Sequence, residues 1–394
     1  MKTSAMANPS PAGSIPVEAV SGRDPVNQDL ASNSANPADA SPIRISVIIP
    51  ALNEAEMIGQ CLDCLAGSNF PRNAFEVIVV DNGSTDRTVE IAQSYSRQLR
   101  ITVLQEPGVN ISALRNLGAG AAKGEILAFL DADCLVPADW LENADQNLRT
   151  DSEGIIGGNI AIPEESRWVA RTWYGVGYAP KDGEVTYVPS GNMLMRRAPF
   201  LRMGGFDKSL QTSEDDDLCL RAHAAGLPVR AVAKMAVVHL RTPQTLREFY
   251  RRERWHGMHA SRMFLGNIKA RANFRAVAFA CFMLAGSVAL LSGLGLVFVS
   301  GRFVLLAAAS AIMMAASLAL SVRKLYAVRG RSFWFTLLPL TTLHVVYGLA
   351  RARALLSLGC GYPRGTPPNV EGTPAAAASS NVAARDDVSD LPNG

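Results

Sequence analysis

The feature that most constrains the fold is an alternation of short apolar runs with helical patterns, which begins at residue 45. Apolar runs at 45–49, 75–80, 101–104 and 125–130 alternate with helical patterns at 54–65, 86–98 and 111–122. Strands that alternate with helices pair in parallel, and the helices cover the faces of the sheet. The sequence therefore predicts an α/β fold with a mostly parallel sheet.

Polar clusters follow three of these predicted strands. In chain order they are Pro50-Ala51-Leu52-Asn53-Glu54, Asp81-Asn82-Gly83-Ser84-Thr85-Asp86 and Asp131-Ala132-Asp133. Ligands of such sheets bind at the carboxyl ends of the strands, so we expect the three clusters to converge on one edge.

The pair Asp131 and Asp133 forms a D-x-D pattern at the end of the fourth predicted strand. A hard divalent cation accepts carboxylate oxygens and keeps positions for phosphate oxygens. Such a cation neutralises a departing diphosphate and so lowers the barrier to its release. Aspartates at strand ends also cap turns, but the neighbouring polar clusters favour a metal and diphosphate site.

Four consecutive acids, 214–217, open a predicted helix that extends from about 215 to 225 and stops before Gly226. The helix N-terminus favours ionised carboxylates. One acid would suffice as a helix cap, so the run of four favours a chemical role for at least one of them.

Several segments resemble family 2 glycosyltransferases in order and spacing, over roughly residues 43 to 260. They are 46–54, 77–86, 113–118, 124–133, 204–207 and 214–218 with Arg221. The resemblance implies a GT-A fold, which is Rossmann-like with a mixed, mostly parallel sheet. It also implies a nucleotide-sugar donor, a divalent metal (Mg or Mn) and inversion at the anomeric carbon.

The same resemblance implies roles for individual residues. Asp81 would hold the base or the ribose, Asp131 the ribose or the metal, and Asp133 the metal. Many members have a second aspartate where this chain has Asn82, which leaves the nucleobase open. The whole predicted nucleotide-sugar set is Pro50, Ala51, Asn53, Glu54, Asp81, Asn82, Arg115, Asp131, Ala132 and Asp133.

Inverting transfer needs one general base for the acceptor hydroxyl, on the face opposite the departing diphosphate. The resemblance nominates Asp215 as this catalytic base. His239 is a further candidate metal ligand, because a histidine at a comparable place binds metal or diphosphate in some GT-A enzymes. A lone histidine after a strand is also often structural, and both alternatives stay open.

Residues 251–255 match a Q/R-x-x-R-W motif of membrane glycosyltransferases, including processive polysaccharide synthases. An aromatic face suits a sugar, and a guanidinium suits a diphosphate. The predicted acceptor and diphosphate set is Glu214, Arg251, Arg254 and Trp255. The alternative for this motif is a solvated basic helix beside anionic lipid.

Two stretches without a formal charge, 276–299 and 303–321, are each long enough to cross a bilayer as a helix. A third candidate, 333–350, is weaker because it contains Pro339 and His344. Nine Lys or Arg against two Glu lie between Arg241 and Arg275, and basic residues also follow the second stretch. By the positive-inside rule, the catalytic domain is predicted on the cytoplasmic side of a multi-pass inner-membrane protein. A buried helical hairpin is the alternative for the two strong stretches.

The predicted organisation has five parts. They are a disordered segment 1–42, a GT-A domain 43–265, a basic juxtamembrane segment 266–275, a transmembrane region 276–350 and a disordered tail 361–394. The two ends have too few large apolar side chains to offset the entropy lost on folding.

The predicted function is transfer of a sugar from a nucleotide donor to a lipid-linked or polysaccharide acceptor at the cytoplasmic membrane face. Such an enzyme would serve cell-surface polysaccharide or glycolipid biosynthesis. A processive polysaccharide synthase is the alternative within this class, although two or three spans are few for a translocation channel. A non-catalytic sugar-nucleotide-binding scaffold and a transporter are the alternatives from other classes. The net charge of +3 gives no general case for nucleic-acid binding.

Overall fold

The structure is a computed structural model that describes residues 42–149, 153–177, 182–210, 212–266, 274–300, 303–327 and 333–356. The predicted disordered tail, residues 1–41 of the predicted N-terminal segment and residues 267–273 of the juxtamembrane segment lie outside these ranges.

Eleven strands are present in the described residues, and they form two sheets. In chain order they are β1 (Ile45–Ala51), β2 (Phe75–Asp81), β3 (Ile101–Gln105), β4 (Ile126–Leu130), β5 (Cys134–Leu135), β6 (Ile155–Gly157), β7 (Ile160–Ala161), β8 (Gly183–Glu184), β9 (Asn192–Arg196), β10 (Val229–Ala231) and β11 (Val237–His239). The main sheet has the order β3-β2-β1-β4-β9-β6-β10-β8, and the small sheet has the order β5-β11-β7.

Eleven α-helices belong to the same described ranges. They are α1 (Ile58–Ala66), α2 (Thr88–Ser94), α3 (Ile111–Ala121), α4 (Trp140–Arg149), α5 (Trp168–Gly177), α6 (Arg197–Arg202), α7 (Glu214–Ala224), α8 (Leu246–Gly266), α9 (Phe274–Ser300), α10 (Phe303–Ala327) and α11 (Phe333–Leu356).

The predicted parallel sheet is confirmed for its first four strands. Strands β3, β2, β1 and β4 all pair in parallel. Strand β9 then pairs antiparallel with β4, so the whole sheet is mixed. This reversal brings the start of β9 to the edge where β4 ends, and it therefore adds residues to the same edge of the sheet.

Both faces of the main sheet are covered, as the continuous apolar runs predict. Val47 and Ile49 of β1 belong to the apolar core that includes α1 and α4, whereas Ile48 belongs to the core that includes α3 and α7. Helix α3 lies so close to β1 that a side chain at Gly118 would overlap Ile48. Period-two alternation of side chains along one buried strand thus builds both cores.

Helices α1 and α2 begin later than the patterns predict, at Ile58 rather than 54 and at Thr88 rather than 86. The residues before these helices form hydrogen bonds between the loop after β1 and the loop after β2. The backbone N–H of Glu54 donates to the hydroxyl of Thr88 at 2.8 Å, and that of Ala55 donates to Asp86 at 3.1 Å. These bonds replace the first turn of each helix and fix the loops at the edge of the sheet.

The two strongest apolar stretches form helices α9 and α10. By length and composition alone, Phe274–Ser292 and Leu306–Tyr326 are the two stretches of the described residues that could cross a membrane. Helix α11 includes the weaker third stretch, continues past residue 350 to Leu356 and keeps Pro339 inside the helix. Its contacts are with α8, α9, α10 and α5, so it packs against both the α/β domain and the apolar hairpin.

Candidate active site

The carboxylate of Asp81 lies buried where β2 ends. Its Oδ2 accepts hydrogen bonds from the backbone N–H groups of Gly83 and Ser84, both at 3.0 Å. Its Oδ1 has no hydrogen-bond partner among the described residues. A buried acceptor without a partner is costly, so this oxygen is available to a donor from a bound ligand.

The side chain of Asn82 is occupied by the protein itself. Its Nδ2 donates to the carbonyl of Val109 at 3.0 Å, and its Oδ1 accepts from the N–H of Val109 at 3.1 Å. These two bonds hold the loop after β3 in place. A contact between Asn82 and a nucleobase, as the resemblance implies, would have to use the second N–H of Nδ2 or the second lone pair of Oδ1.

The residues after β1 form the other wall of this edge. Pro50 and Ala51 complete β1 opposite Val80 and Asp81. Asn53 adopts a left-handed backbone with φ 54°, and its Oδ1 accepts from the N–H of Thr85 at 2.9 Å. The loop after β1 is therefore fastened to the loop after β2.

Glu54 is paired with Arg241, which follows β11, at 2.8 Å. Its second oxygen, Oε2, is buried without a hydrogen-bond partner among the described residues. Burial raises the pKa of Glu54 to about 8, because desolvation outweighs the opposing charge of Arg241. Glu54 thus offers a ligand a second buried polar atom that lacks a partner among the described residues.

Arg115 of α3 connects the D-x-D motif to the acidic helix. It is buried, and its guanidinium donates to Asp131 at 2.7 Å and to Glu214 at 2.6 Å. The guanidinium also lies over the ring of Phe206, 5.7 Å from the centroid. Burial and then the charge of Asp215 raise the pKa of Glu214, and Arg115 opposes this shift. One buried cation thus holds two of the predicted motifs together.

The segment before β9 lies against the D-x-D motif because Asn192 pairs with Leu130. A side chain at Gly191 would overlap the carboxylate of Asp131. Glycine at this position lets the backbone approach the carboxylate of Asp131 without displacing it. Ala132, the middle residue of the motif, is buried in the core.

Asp133, Cys134 and His239 form a group whose potential ligand atoms all lie within 4.8 Å of one another. The cause is the small sheet, in which His239 pairs with Cys134. Nδ1 of His239 is buried without a hydrogen-bond partner among the described residues and lies 3.5 Å from Oδ2 of Asp133. Burial raises the pKa of Asp133, and the neighbouring His239 opposes the shift.

This donor set fits a divalent cation, because a carboxylate oxygen and an unpartnered imidazole nitrogen face each other at close range. Asp131 is not part of the group; its Oδ1 is taken by Arg115. Of the three predicted metal ligands, the structure therefore brings Asp133 and His239 together and places Asp131 beside the arginine.

Asp215, the predicted base, lies half-buried in the first turn of α7. Its Oδ2 accepts from the hydroxyl of Tyr187 at 2.9 Å and from the N–H of Ser190 at 3.2 Å. The hydroxyl of Ser190 also donates to the neighbouring Glu214 at 3.0 Å. The hydrogen bonds hold the carboxylate in one orientation, as a general base requires.

The other two acids of this helix differ in their partners. Asp217 forms an ion pair with Arg221 at 2.7 Å, one turn later. Burial, followed by the charges of Asp215 and Glu214, raises the pKa of Asp216 to about 7, and Arg351 of α11 opposes this shift.

In the Q/R-x-x-R-W segment of α8, Arg251 and Arg254 are exposed and Trp255 is half-buried beside His256. The buried residue is Glu253, which pairs with Arg351 at 2.8 Å. Thus the two predicted diphosphate arginines point away from the packed face of α8. Arg252 lies over the ring of Tyr174, and its charge opposes the rise in the pKa of Asp133.

Several residues at the site were not predicted from the sequence. They are Cys134, Tyr187, Ser190, Gly191, Arg241, Arg252 and Arg351. A signal in the sequence could have identified two of them, Ser190 and Gly191. Ser190 and Gly191 precede the short apolar run 193–195, and residues before an antiparallel strand lie at the same edge as residues after its neighbour.

Two family models match the chain. The model described as Glycosyl transferase family 2 matches residues 46–204, and the model described as Glycosyl transferase family group 2 matches residues 126–347. The second match covers more than half of the chain.

Among curated proteins, the chain is similar to glycosyltransferase AglE of Haloferax volcanii, with 41% identity over 119 residues. That match covers 29% of this chain and 39% of the relative. It is also similar to the pre-mycofactocin glycosyltransferase of Mycobacterium tuberculosis, with 28% identity over 256 residues, 60% of this chain and 52% of the relative. The chain thus spans about half, or less, of the length of these relatives.

Among solved structures, the chain is similar to mannosyltransferase PcManGT from Pyrobaculum calidifontis, solved in complex with GDP-Man and Mn²⁺. The TM-score is 0.50 at 20% identity, and the match covers 82% of this chain and 90% of that chain. At this identity the likeness shows the fold, a GT-A-like α/β arrangement with a mixed sheet. On its family match and its fold, the chain belongs to the family 2 group of glycosyl transferases.

Proposed function

We propose that this protein is an inverting, metal-dependent glycosyltransferase anchored in the cytoplasmic membrane. It transfers a sugar from a nucleotide-sugar donor to a lipid-linked or glycan acceptor at the cytoplasmic face of that membrane. Its products belong to cell-surface polysaccharide or glycolipid biosynthesis. Addition of single sugars is favoured over processive synthesis, since the described residues hold only two stretches that could cross a membrane by length and composition.

The observation that carries the proposal is the double ion pair of Arg115. It connects Asp131 at 2.7 Å and Glu214 at 2.6 Å, and Asp215 follows Glu214 directly. The D-x-D motif and the residue that directly precedes the predicted base therefore share one buried cation. Direct displacement needs the diphosphate site and the base on either side of one anomeric carbon.

In the proposed reaction, the acceptor hydroxyl transfers its proton to Asp215 as its oxygen bonds to the anomeric carbon. The bond from that carbon to the diphosphate oxygen breaks, and the nucleoside diphosphate leaves with the electron pair. Tyr187 and Ser190 keep the carboxylate of Asp215 in position through their hydrogen bonds. The unpartnered oxygens of Asp81 and Glu54 form hydrogen bonds with the nucleoside.

Asp133 and His239 would hold the divalent cation, Mg or Mn. When bound, it supplies positive charge where the diphosphate develops negative charge. Arg241 and Arg252 lie near the same carboxylate and oppose the rise of its pKa. They can contribute charge to the diphosphate as well.

The membrane placement is supported by the surfaces of α9 and α10. Their large apolar side chains are widely exposed, with Leu291 at 68% and Val304 at 77%. Apolar surface of this extent is not stable in water, whereas lipid would cover it. The buried core of a water-soluble hairpin would instead hide these residues.

The test is turnover of the purified full chain in lipid nanodiscs with a panel of nucleotide sugars and Mn²⁺. We expect one donor to be consumed with release of its nucleoside diphosphate, and the product to carry the opposite anomeric configuration in its NMR spectrum. Retention of configuration would contradict the proposed mechanism. Binding of nucleotide sugars without any turnover on lipid or glycan acceptors would favour the non-catalytic scaffold.

A further inference from the structure

A cavity of about 680 Å³ lies where α5 of the α/β domain meets α9, α10 and α11. Its apolar part includes the rings of Trp173, Phe279 and Tyr347. Its polar part consists of three basic side chains, Arg275, Arg323 and Lys324, together with His344. The lining shares no residue with the candidate active site.

The three basic residues give the cavity an unbalanced positive charge. The residues that line it include no Asp or Glu. Lys324 lies over the ring of Trp173, with its Nζ 4.3 Å from the centroid. Among the described residues, the acid whose charge acts on Lys324 is Glu253, and Arg351 already pairs with that carboxylate at 2.8 Å. The cavity is therefore complementary to an anion with an apolar body.

The position of the three charges along the helices indicates where this anion would lie. Arg275 stands at the start of α9, and Arg323 and Lys324 stand near the end of α10. Both ends of the hairpin point to the same side, next to the α/β domain. In the proposed membrane placement this is the level of the lipid headgroups on the cytoplasmic face.

We propose that this cavity binds one anionic phospholipid, which is neither donor nor acceptor of the reaction. Its phosphate lies among Arg275, Arg323 and Lys324, and one acyl chain extends along Phe279 and the small residues of α10 such as Ala316. The negative charge of the lipid reduces the repulsion among the three like charges, and its acyl chain fills the gap between the α/β domain and the hairpin. The inference rests on the proposed membrane placement and is independent of the proposed chemistry.

The test is native mass spectrometry of the full chain, delipidated in a mild detergent and titrated with phosphatidylglycerol or phosphatidylcholine. We expect one phosphatidylglycerol to bind at least ten-fold more tightly than phosphatidylcholine. The triple variant Arg275→Gln, Arg323→Gln, Lys324→Gln should weaken phosphatidylglycerol binding at least ten-fold. A control with the same change of charge, Arg171→Gln, Arg202→Gln, Arg247→Gln, alters exposed arginines outside the cavity and should bind as the native chain does.

A second variant separates the lipid from a free anion. Ala316→Trp fills the apolar part of the cavity without a change of charge and should also weaken phosphatidylglycerol binding. The proposal would be overturned if both lipids bind equally, or if the triple variant and Ala316→Trp bind phosphatidylglycerol as tightly as the native chain. Displacement of the lipid by millimolar inorganic phosphate would also overturn it. Donor binding with Mn²⁺, measured on the same variants, should be unchanged. If the native chain does not bind a nucleotide-sugar donor with Mn²⁺, the proposed function is contradicted, whereas the result on lipid binding is unaffected.

Discussion

The donor side and the acceptor side of the candidate site satisfy their polar groups in different ways. On the donor side, at the ends of β1, β2 and β11, three buried atoms lack a hydrogen-bond partner among the described residues. They are Oε2 of Glu54, Oδ1 of Asp81 and Nδ1 of His239. On the acceptor side, Asp215 and Glu214 accept hydrogen bonds from Tyr187, Ser190 and Arg115.

This difference indicates what each side does. Unpartnered buried atoms cost free energy unless a ligand supplies their partners, so the donor side gains stability when a nucleotide and a metal bind. The acceptor side already holds its carboxylates in place, which suits a base that must meet one hydroxyl in one orientation. The predictions below test this division, from the largest expected effect to the smallest.

Asp215→Asn should separate the two sides most sharply. The amide cannot accept the proton of the acceptor hydroxyl, so we expect kcat to fall about 10³-fold, within the range for loss of a general base. Donor binding should stay within about two-fold of native, because the donor side is intact. Initial rates and calorimetric titration with the donor measure the two effects.

The control for this change is Asp217→Asn, which removes an acid of the same helix that pairs with Arg221. It should keep most of the native rate. A similar loss of donor binding and of turnover in Asp215→Asn would contradict its assignment as base and place it in the donor site.

Arg115→Gln should affect both sides together. It leaves the buried carboxylate of Glu214 without its cation, and breaking one partner of a buried pair costs about 3 kcal/mol. The melting temperature in detergent should fall by several degrees, and the double variant with Glu214→Gln should recover part of the loss. No recovery would show that Arg115 acts through packing on Phe206 rather than through its charge.

His239→Ala should weaken Mn²⁺-dependent donor binding at least about ten-fold, as loss of a metal partner does. Asp133→Ala should do the same, because the two atoms lie 3.5 Å apart. The control Cys134→Ser keeps the size of the side chain and should have a smaller effect. Titrations with the nucleotide sugar, with and without Mn²⁺, measure the change in donor affinity. If the donor affinity of the native chain is the same with and without Mn²⁺, the metal assignment is rejected.

The same division explains how much the sequence could predict. Donor-side residues follow strands whose apolar runs stand out, so the rule on strand ends places Asp81 and Asp133 without any knowledge of the fold. Their convergence on one edge is seen in the parallel register of β1 with β2 and β4. Local patterns are sufficient here because each polar residue is adjacent to the strand that positions it.

The acceptor side depends on contacts between distant segments. Ser190 reaches Asp215 because β9 reverses direction beside β4, and Arg351 reaches the acidic helix because α11 packs on α8. The apolar run after Ser190 indicates a strand but not its antiparallel direction, so a local pattern alone predicts neither contact. The predicted role of Asn82 illustrates the same limit, since its bonds to Val109 depend on how two loops meet.

Asp216→Asn should give the smallest effect, and it tests whether the acceptor side carries an excess of negative charge. Burial and the charges of Asp215 and Glu214 raise the pKa of Asp216 to about 7, above the ordinary 3.8. The folded state therefore keeps a proton that the unfolded state has lost, and stability falls as pH rises from about 4 to about 7.

The Asn side chain has no proton to lose, so the variant should lack this part of the pH dependence. Relative to the variant, the native chain should lose about 2 kcal/mol between pH 5 and pH 7, or several degrees in melting temperature. Melting curves across this range measure the difference, with Asp217→Asn as the control that keeps the native slope. If the melting temperature changes with pH in the same way in the native chain and in Asp216→Asn, then Arg351 balances the charge of Asp216. In that case the acceptor side carries no excess of negative charge.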